Sequence, residues 1–226
     1  MAREMGAGLA LSNEQIERYS RQIILPQVGG RGQERLLAAR IAILGEITDL
    51  ESPLAYLVGA GVGTILLDAF GDNDNARRSY LIDQMKDLNP EVKVGLTAPG
   101  LSGCELALML IGSAQARIAA EAVNSESPRT ALIAARLDSP GEVVIAPSRP
   151  PCLACAGDAL MTFGSRGENA ELVKMVATTE AVKYLIQPSA AGTIIKFSGL
   201  SSGAGQLCSR PDCMICTDSR LRTARK

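Results

Sequence analysis

The feature that most constrains this chain is a strand–helix–strand signature over 40–68. The run RIAILG over 40–45 is apolar at its interior positions and closes on Gly45. A strand that is apolar on both faces must be covered on both faces, as in the parallel sheet of an α/β fold. Pro53 then reads as the first residue of a helix capped by Ser52, with Leu54, Leu57 and Val58 as its inner face. Gly59, Gly61 and Gly63 turn the chain into a second strand over 64–68. This is a βαβ unit, and it predicts an α/β fold: a doubly wound, mostly parallel, Rossmann-like sheet.

The remaining pattern extends that reading. Ser12 and Gln15 form a capping box for a first helix carrying Ile16, Tyr19, Ile23 and Ile24. Gly29, Gly30 and Gly32 are expected to break it before a short helix over 33–39. A helix ends near Leu88, where Asn89 and Pro90 stop it, and a third strand covers 92–94. The run 106–111 reads as a strand or a helix end. A helix over 115–123 and strands over 130–135 and 142–146 follow. A proline-rich knuckle over 147–155, a polar stretch over 164–169, a helix over 170–186 and a closing strand over 192–197 complete the chain. One domain over 1–226 is expected: N-terminal helices over 11–40, a nucleotide-fold core over 41–146, and a C-terminal elaboration over 147–226.

Composition removes several function classes. With 226 residues, 46% hydrophobic and 21% charged, the chain has the make-up of a soluble globular protein. A formal net charge of −1 gives no basic surplus for nucleic acid, and the basic RLRTARK at the C-terminus reads as solvated. No apolar run reaches the length of a membrane span, and the N-terminus has no secretory apolar core, so a cytoplasmic location is expected. There is no His, so imidazole catalysis and imidazole metal ligation are excluded. Without Trp, and with 3% aromatics, base-stacking platforms are not expected.

Four of the six cysteines fall in two Cys-x-x-Cys pairs, Cys152/Cys155 and Cys213/Cys216. Such pairs present two sulfurs to one point, so together they can supply four thiolates to one tetrahedral zinc. Pro150, Pro151 and Pro211 stiffen the approaches. The alternative is two independent dithiols. Four thiolates leave no open coordination position, so the zinc would be structural. Cys104 and Cys208 stand outside the set.

Several motifs, in order, resemble the ThiF/MoeB/HesA family, the bacterial branch of the ubiquitin-activating-enzyme superfamily. They are RYSRQ over 18–22 with the Leu-Pro that follows, SPLAYL over 52–57, GAGVGTI over 59–65, LNP over 88–90, EAVKYL over 180–185 and RPDCMIC over 210–216. The resemblance covers nearly the whole chain and is weakest over 68–143. It implies a doubly wound α/β domain with a four-cysteine zinc, normally a homodimer. It also implies ATP–magnesium binding and adenylation of the C-terminal glycine of a ubiquitin-like sulfur-carrier protein. One arginine of the RYSRQ run, Arg18 or Arg21, would reach into a partner subunit's ATP site. The alternative is that both arginines only pack at the surface.

Four departures cut into the chemistry. Where the family has the phosphate loop G-x-G-G-L-G-S-P, the stretch GEITDLESP over 45–53 keeps Gly45 and the final Ser-Pro and is one residue longer. Glu46, Asp49 and Glu51 would place negative charge against a polyphosphate, at about 1–4 kcal/mol for each like-charge pair in contact. Asp68 keeps the acidic residue after strand two, but the S-N-L-x-R-Q stretch is absent and GDNDN over 71–75 is short and acidic. Arg77 falls near the family's phosphate lysine. The D-x-T-D-N of the family has no carboxylate counterpart over 110–117, and no cysteine lies between Cys155 and Cys208.

The resulting expectation is a catalytically degenerate family member with no catalytic residues, a structural zinc, and ATP–magnesium binding disfavoured, with Gly45, Asp68 and Arg77 as its remnants. It would act as a binding or scaffold subunit in a homodimer, with an active paralogue, or with a ubiquitin-like carrier. The alternative is an active adenylyltransferase that holds magnesium through Asp68, Asp72 or Asp74. A third reading is a Rossmann-like enzyme adapted to another ligand.

Overall fold

The computed structural model describes residues 11–70, 75–96, 101, 103–126, 130–147, 151–160, 165–199 and 201–217. Asp72, Asp74, Pro150, Gly164 and the RLRTARK tail lie outside the described residues.

An eight-stranded sheet forms the centre, in the order β3-β2-β1-β4-β5-β6-β7-β8. Strands β1 (Arg40–Glu46), β2 (Thr64–Phe70), β3 (Lys93–Leu96), β4 (Leu106–Ile111) and β5 (Ala131–Arg136) run parallel. Strands β6 (Glu142–Ala146), β7 (Gly192–Ser198) and β8 (Ser201–Leu207) continue antiparallel. The mixed sheet with helices on both faces is α/β and doubly wound, as the sequence predicts. β4 settles the ambiguous run as a strand: all six residues are buried.

Alternation along β1 shows why the strand is apolar throughout. Ile41 and Ile43 join one core with Leu54, Leu57, Val173, Ala177 and Ala181. Ala42 and Leu44 join a second core with Met109, Ala120, Leu153 and Cys155. The first core is built against helices α4 (Ile47–Ala60) and α7 (Ala170–Ile186). The second is built against α6 (Ala114–Glu126) and the 3-10 segment Leu153–Leu160.

At the N-terminus, Ser12 caps α1 (Asn13–Arg18) through the expected box with Gln15. Buried Tyr19 interrupts the helix, and α2 (Ser20–Ile23) follows. The three glycines do not break a helix: α3 (Gly29–Ala38) begins at the first of them. A side chain at Gly32 would come within 3.1 Å of Ile186, so the small residue lets α3 approach the end of α7.

The largest difference from the sequence reading lies between β1 and α4. The helix starts at Ile47 directly after the strand, with Glu46 as its N-cap, and Pro53 sits inside it. Ser52 and Pro53 therefore lie in the second turn and do not cap anything. Ile47 and Leu50 are buried and continue the stripe of Leu54, Leu57 and Val58 at helical spacing. Burial of that stripe outweighs the hydrogen bond that Pro53 cannot donate. Gly61, at φ 83°, ends the helix in the left-handed conformation that glycine adopts freely. After α5 (Asn75–Leu88) the chain enters β3, and the hairpin partner β8 is an additional strand.

Candidate functional site

In an open parallel sheet, ligands bind outside the carboxyl ends of the strands where the winding direction reverses. That point lies here between β1 and β4. Gly45 closes β1 against β4: an added Cβ would lie 3.0 Å from Leu110 Cβ and 3.1 Å from its carbonyl oxygen. A larger residue would press on Leu110, so the glycine suits the close approach of the two strands. No glycine loop follows it, because the chain passes straight into α4.

The first turn of α4 carries Asp49, which is fully buried. Its Oδ1 accepts from Arg166 Nη2 at 2.6 Å and lies 3.4 Å from Lys174 Nζ. Lys174, 2% exposed on α7, also pairs with Glu171 Oε1 at 2.7 Å. The hydrogen bond from Arg166 to Asp49 raises the guanidinium's pKa further above its ordinary value. Asp49 Oδ2 has no hydrogen-bond partner among the described residues. It lies beside Gly112, where an added Cβ would come within 2.7 Å of it and 3.7 Å of Arg166 Nη1.

This geometry corrects the sequence reading of Asp49. The carboxylate does not face outward as a bare repulsive charge. It is inside, paired with Arg166 and Lys174, in the first turn of α4 beside Gly112. Asp49 and Lys174 each cost several kcal/mol to take out of water, and their pairing, with the half-exposed Arg166, offsets that cost. It also brings a carboxylate from α4 to the segment after β4, which has none of its own. Ser113 Oγ accepts from Ala116 N at 3.2 Å, capping α6.

Asp68 stands near the end of β2, opposite Leu44. Burial raises its pKa, and the charge of Arg78 partly opposes the shift. Arg78 Nη2 donates to the carbonyl of Ala69 at 2.7 Å. The cation beside Asp68 is thus Arg78, while Arg77 is exposed on α5. A two-residue RR run carries no sequence signal for which arginine turns inward. Glu46 is half-buried and Glu51 exposed.

Arg18 ends α1 and Arg21 lies in α2; both are exposed. Between them Tyr19 is 1% exposed and fixes the segment. Its hydroxyl donates to Glu91 Oε2 at 3.2 Å and accepts from Asn89 Nδ2 at 2.9 Å. Gln22 and Gln33 donate to the carbonyls of Gly59 and Ala60 at the end of α4. The RYSRQ and LNP runs are therefore one polar junction. Sequence reading missed the anchoring role of Tyr19 and Asn89 because 70 residues separate them.

The sulfurs of Cys152, Cys155, Cys213 and Cys216 all lie within 4.8 Å of one another. Neighbouring Sγ pairs are 3.9, 3.6 and 3.4 Å apart. Tetrahedral thiolates at a Zn–S distance of about 2.3 Å would stand about 3.8 Å apart, so the four cysteines fit a metal of that type. Turn hydrogen bonds from Cys155 N to Cys152 O and from Cys213 N to Arg210 O shape the two knuckles. Burial pushes the Cys152 thiol up to about 11. Cys104 is buried in the second core and Cys208 is exposed, both outside the cluster.

No protein-family model matches the chain. Over 119 residues it is 40% identical to the Bos taurus adenylyltransferase and sulfurtransferase MOCS3, covering 51% of this chain and 25% of MOCS3. Over 75 residues it is 44% identical to the probable adenylyltransferase/sulfurtransferase MoeZ of Mycobacterium tuberculosis, covering 32% of this chain and 19% of MoeZ. Over these stretches the chain is similar to adenylyltransferases of the ThiF/MoeB type. It spans about a quarter or less of the length of these curated relatives.

Solved structures share the fold. E. coli MccB with ATP matches at a TM-score of 0.66, covering 92% of this chain and 75% of MccB at 14% identity. PaaA matches at 0.62, covering 92% and 78% at 16% identity. At such identities the likeness is one of fold. Among the described residues, no helix is long and apolar enough to cross a membrane.

Proposed function

We propose that this ThiF/MoeB-like chain is a catalytically degenerate subunit that works by contact and not by adenylation. The observation that carries the reading is the start of α4: β1 enters it without a loop, and Asp49, buried in its first turn, is paired with Arg166 and Lys174. Phosphate cradles need free backbone N–H groups at a helix N-terminus. Here the first turn of α4 holds a buried carboxylate instead. Its partners would be a second copy, an active paralogue or a ubiquitin-like carrier, and Arg18 and Arg21 are the groups able to act on a partner's site. The single domain would span 1–226.

Zinc held by Cys152, Cys155, Cys213 and Cys216 would staple the two C-terminal knuckles, with no coordination position left for chemistry. Four reduced thiols suit a reducing, cytoplasmic setting.

One observation favours the alternative, an active adenylyltransferase of a ubiquitin-like carrier. The unpartnered Oδ2 of Asp49 puts a carboxylate beside Gly112. The two readings part on carrier-dependent ATP–pyrophosphate exchange, measured with purified chain, ATP–magnesium and thiamin- or molybdopterin-type carriers. Degeneracy predicts no exchange above the carrier-free control. Exchange that depends on the carrier would establish the alternative.

A further inference from the structure

Among the described residues, the outermost strand presents an unpaired edge. β8 pairs with β7 over seven register positions, from Gly192↔Leu207 to Ser198↔Ser201, without a bulge. It is the last strand of the sheet among the described residues. Six of its seven residues are exposed, and Gly203 and Gly205 face open space. Its sequence SSGAGQL has no charge and no proline, the usual means of blocking a bare edge. Phe197 N–H donates to Gly141 O, on the side of β7 away from β8. Alternation along the antiparallel pair then turns the main-chain groups of Ser202, Ala204 and Gln206 toward the open edge.

A row of alternating charge runs to the same place. Arg136, Glu142, Lys196 and Gly203 are successive cross-strand partners on β5, β6, β7 and β8. Direct partners share a face of the sheet. The row therefore reads positive, negative, positive, and then no side chain at all. The Lys196 side chain is 72% exposed and its Nζ lies 3.7 Å from Glu142 Oε1. An added Cβ at Gly203 would meet nothing within 4 Å among the described residues, so a strand added at the edge would come next to the lysine.

We propose that the β8 edge docks an extended peptide segment of a partner protein by strand addition, with an acidic side chain opposite Gly203 meeting Lys196. Charge complementarity selects the acid, and the small β8 side chains leave recognition to main-chain hydrogen bonds. A second copy fits less well, because one short strand pair is a narrow strip beside the roughly 1,000 Å² that a stable interface buries. The inference goes beyond the crevice and holds whether or not the crevice takes a nucleotide.

The test uses two fluorescein-labelled, end-blocked peptides, Thr-Val-Thr-Glu-Thr-Val-Thr and its lysine-centred counterpart. Each is titrated against the full chain by fluorescence anisotropy without nucleotide. The glutamate peptide should bind saturably, and the lysine peptide about tenfold more weakly. Ala204→Pro removes an edge donor that β7 does not use, and should abolish binding while circular dichroism shows the fold retained. Lys196→Gln should erase the preference for glutamate. A glutamate peptide N-methylated on its pairing side should fail to bind the wild-type chain, a comparison that needs no variant. Absence of binding, equal binding of both peptides, or binding unaffected by N-methylation overturns the proposal. Dimerisation in sedimentation that Ala204→Pro abolishes would overturn it in favour of a second copy.

Discussion

Arg166 Nη2 donates to Asp49 Oδ1 at 2.6 Å, joining positions 117 apart in sequence across the head of the crevice. The contact binds the start of α4 to the segment that leads into α7, and Lys174 reaches the same carboxylate oxygen from within α7 at 3.4 Å. One carboxylate thus ties the start of α4 to α7 and to the segment before it.

Removing that carboxylate leaves Lys174 buried with less compensation. Asp49→Ala should destabilise the chain by about 3–5 kcal/mol in urea unfolding, the range for breaking a buried pair. The paired replacement Asp49→Leu with Lys174→Met should recover most of the loss, because apolar groups of similar volume substitute well for buried ions. A single-variant cost below about 1 kcal/mol would mean that the pair does not organise the crevice.

Tyr19 should give stability an alkaline edge. Burial raises its pKa above the ordinary 10.0, with the Glu91 charge acting in the same direction and the Asn89 hydrogen bond opposing. The folded phenol holds its proton more tightly than the unfolded one. Its contribution is therefore fully present below the unfolded pKa and is lost as pH rises through the folded value. Melting curves between about pH 8 and 11 should fall more steeply for the wild type than for Tyr19→Phe. Parallel curves would show that the phenol's ionisation is not linked to folding.

The cysteine cluster predicts close to one zinc per chain by elemental analysis after purification without chelator. Cys213→Ser or Cys216→Ser should lose the metal and lower the melting temperature, since binding free energy at such a site is folding free energy. Cys208→Ser should change neither. Retention of full zinc by both single variants would rule out the four-thiolate site.

Arg18→Ala and Arg21→Ala test the remnant chemistry. In a complex with an active paralogue, at least one should slow the paralogue's carrier adenylation by 10-fold or more, on the order of 1.4 kcal/mol of lost transition-state stabilisation. The complex itself should persist in size-exclusion chromatography. Unchanged adenylation in both variants would assign the arginines to packing.

Legibility in the sequence followed the range of the interactions. The Ser12–Gln15 box, β6 and α7 with its Ala170–Ile186 bounds are readable because each rests on local capping or periodicity. The two Cys-x-x-Cys pairs are readable as a cluster because each pair is itself a local turn. The start of α4 was obscured by Ser52 and Pro53, which resemble a cap but lie within a stripe that begins at Ile47. β8 has neither apolar alternation nor β-branched residues, and exists as a strand through its ladder with β7. The Asp49, Arg166 and Lys174 group has no local signature, since its partners meet only when α4 and α7 pack together.

The most direct test of the central claim is isothermal titration calorimetry of the wild-type chain with ATP and magnesium. A helix that follows β1 without a phosphate loop, with a buried carboxylate in its first turn, predicts no saturable heat up to millimolar nucleotide, and none when the carrier is added. Saturable binding with a dissociation constant in the micromolar range, weakened by substitution of Asp68 or Arg78, would contradict the account and restore the crevice as a nucleotide site.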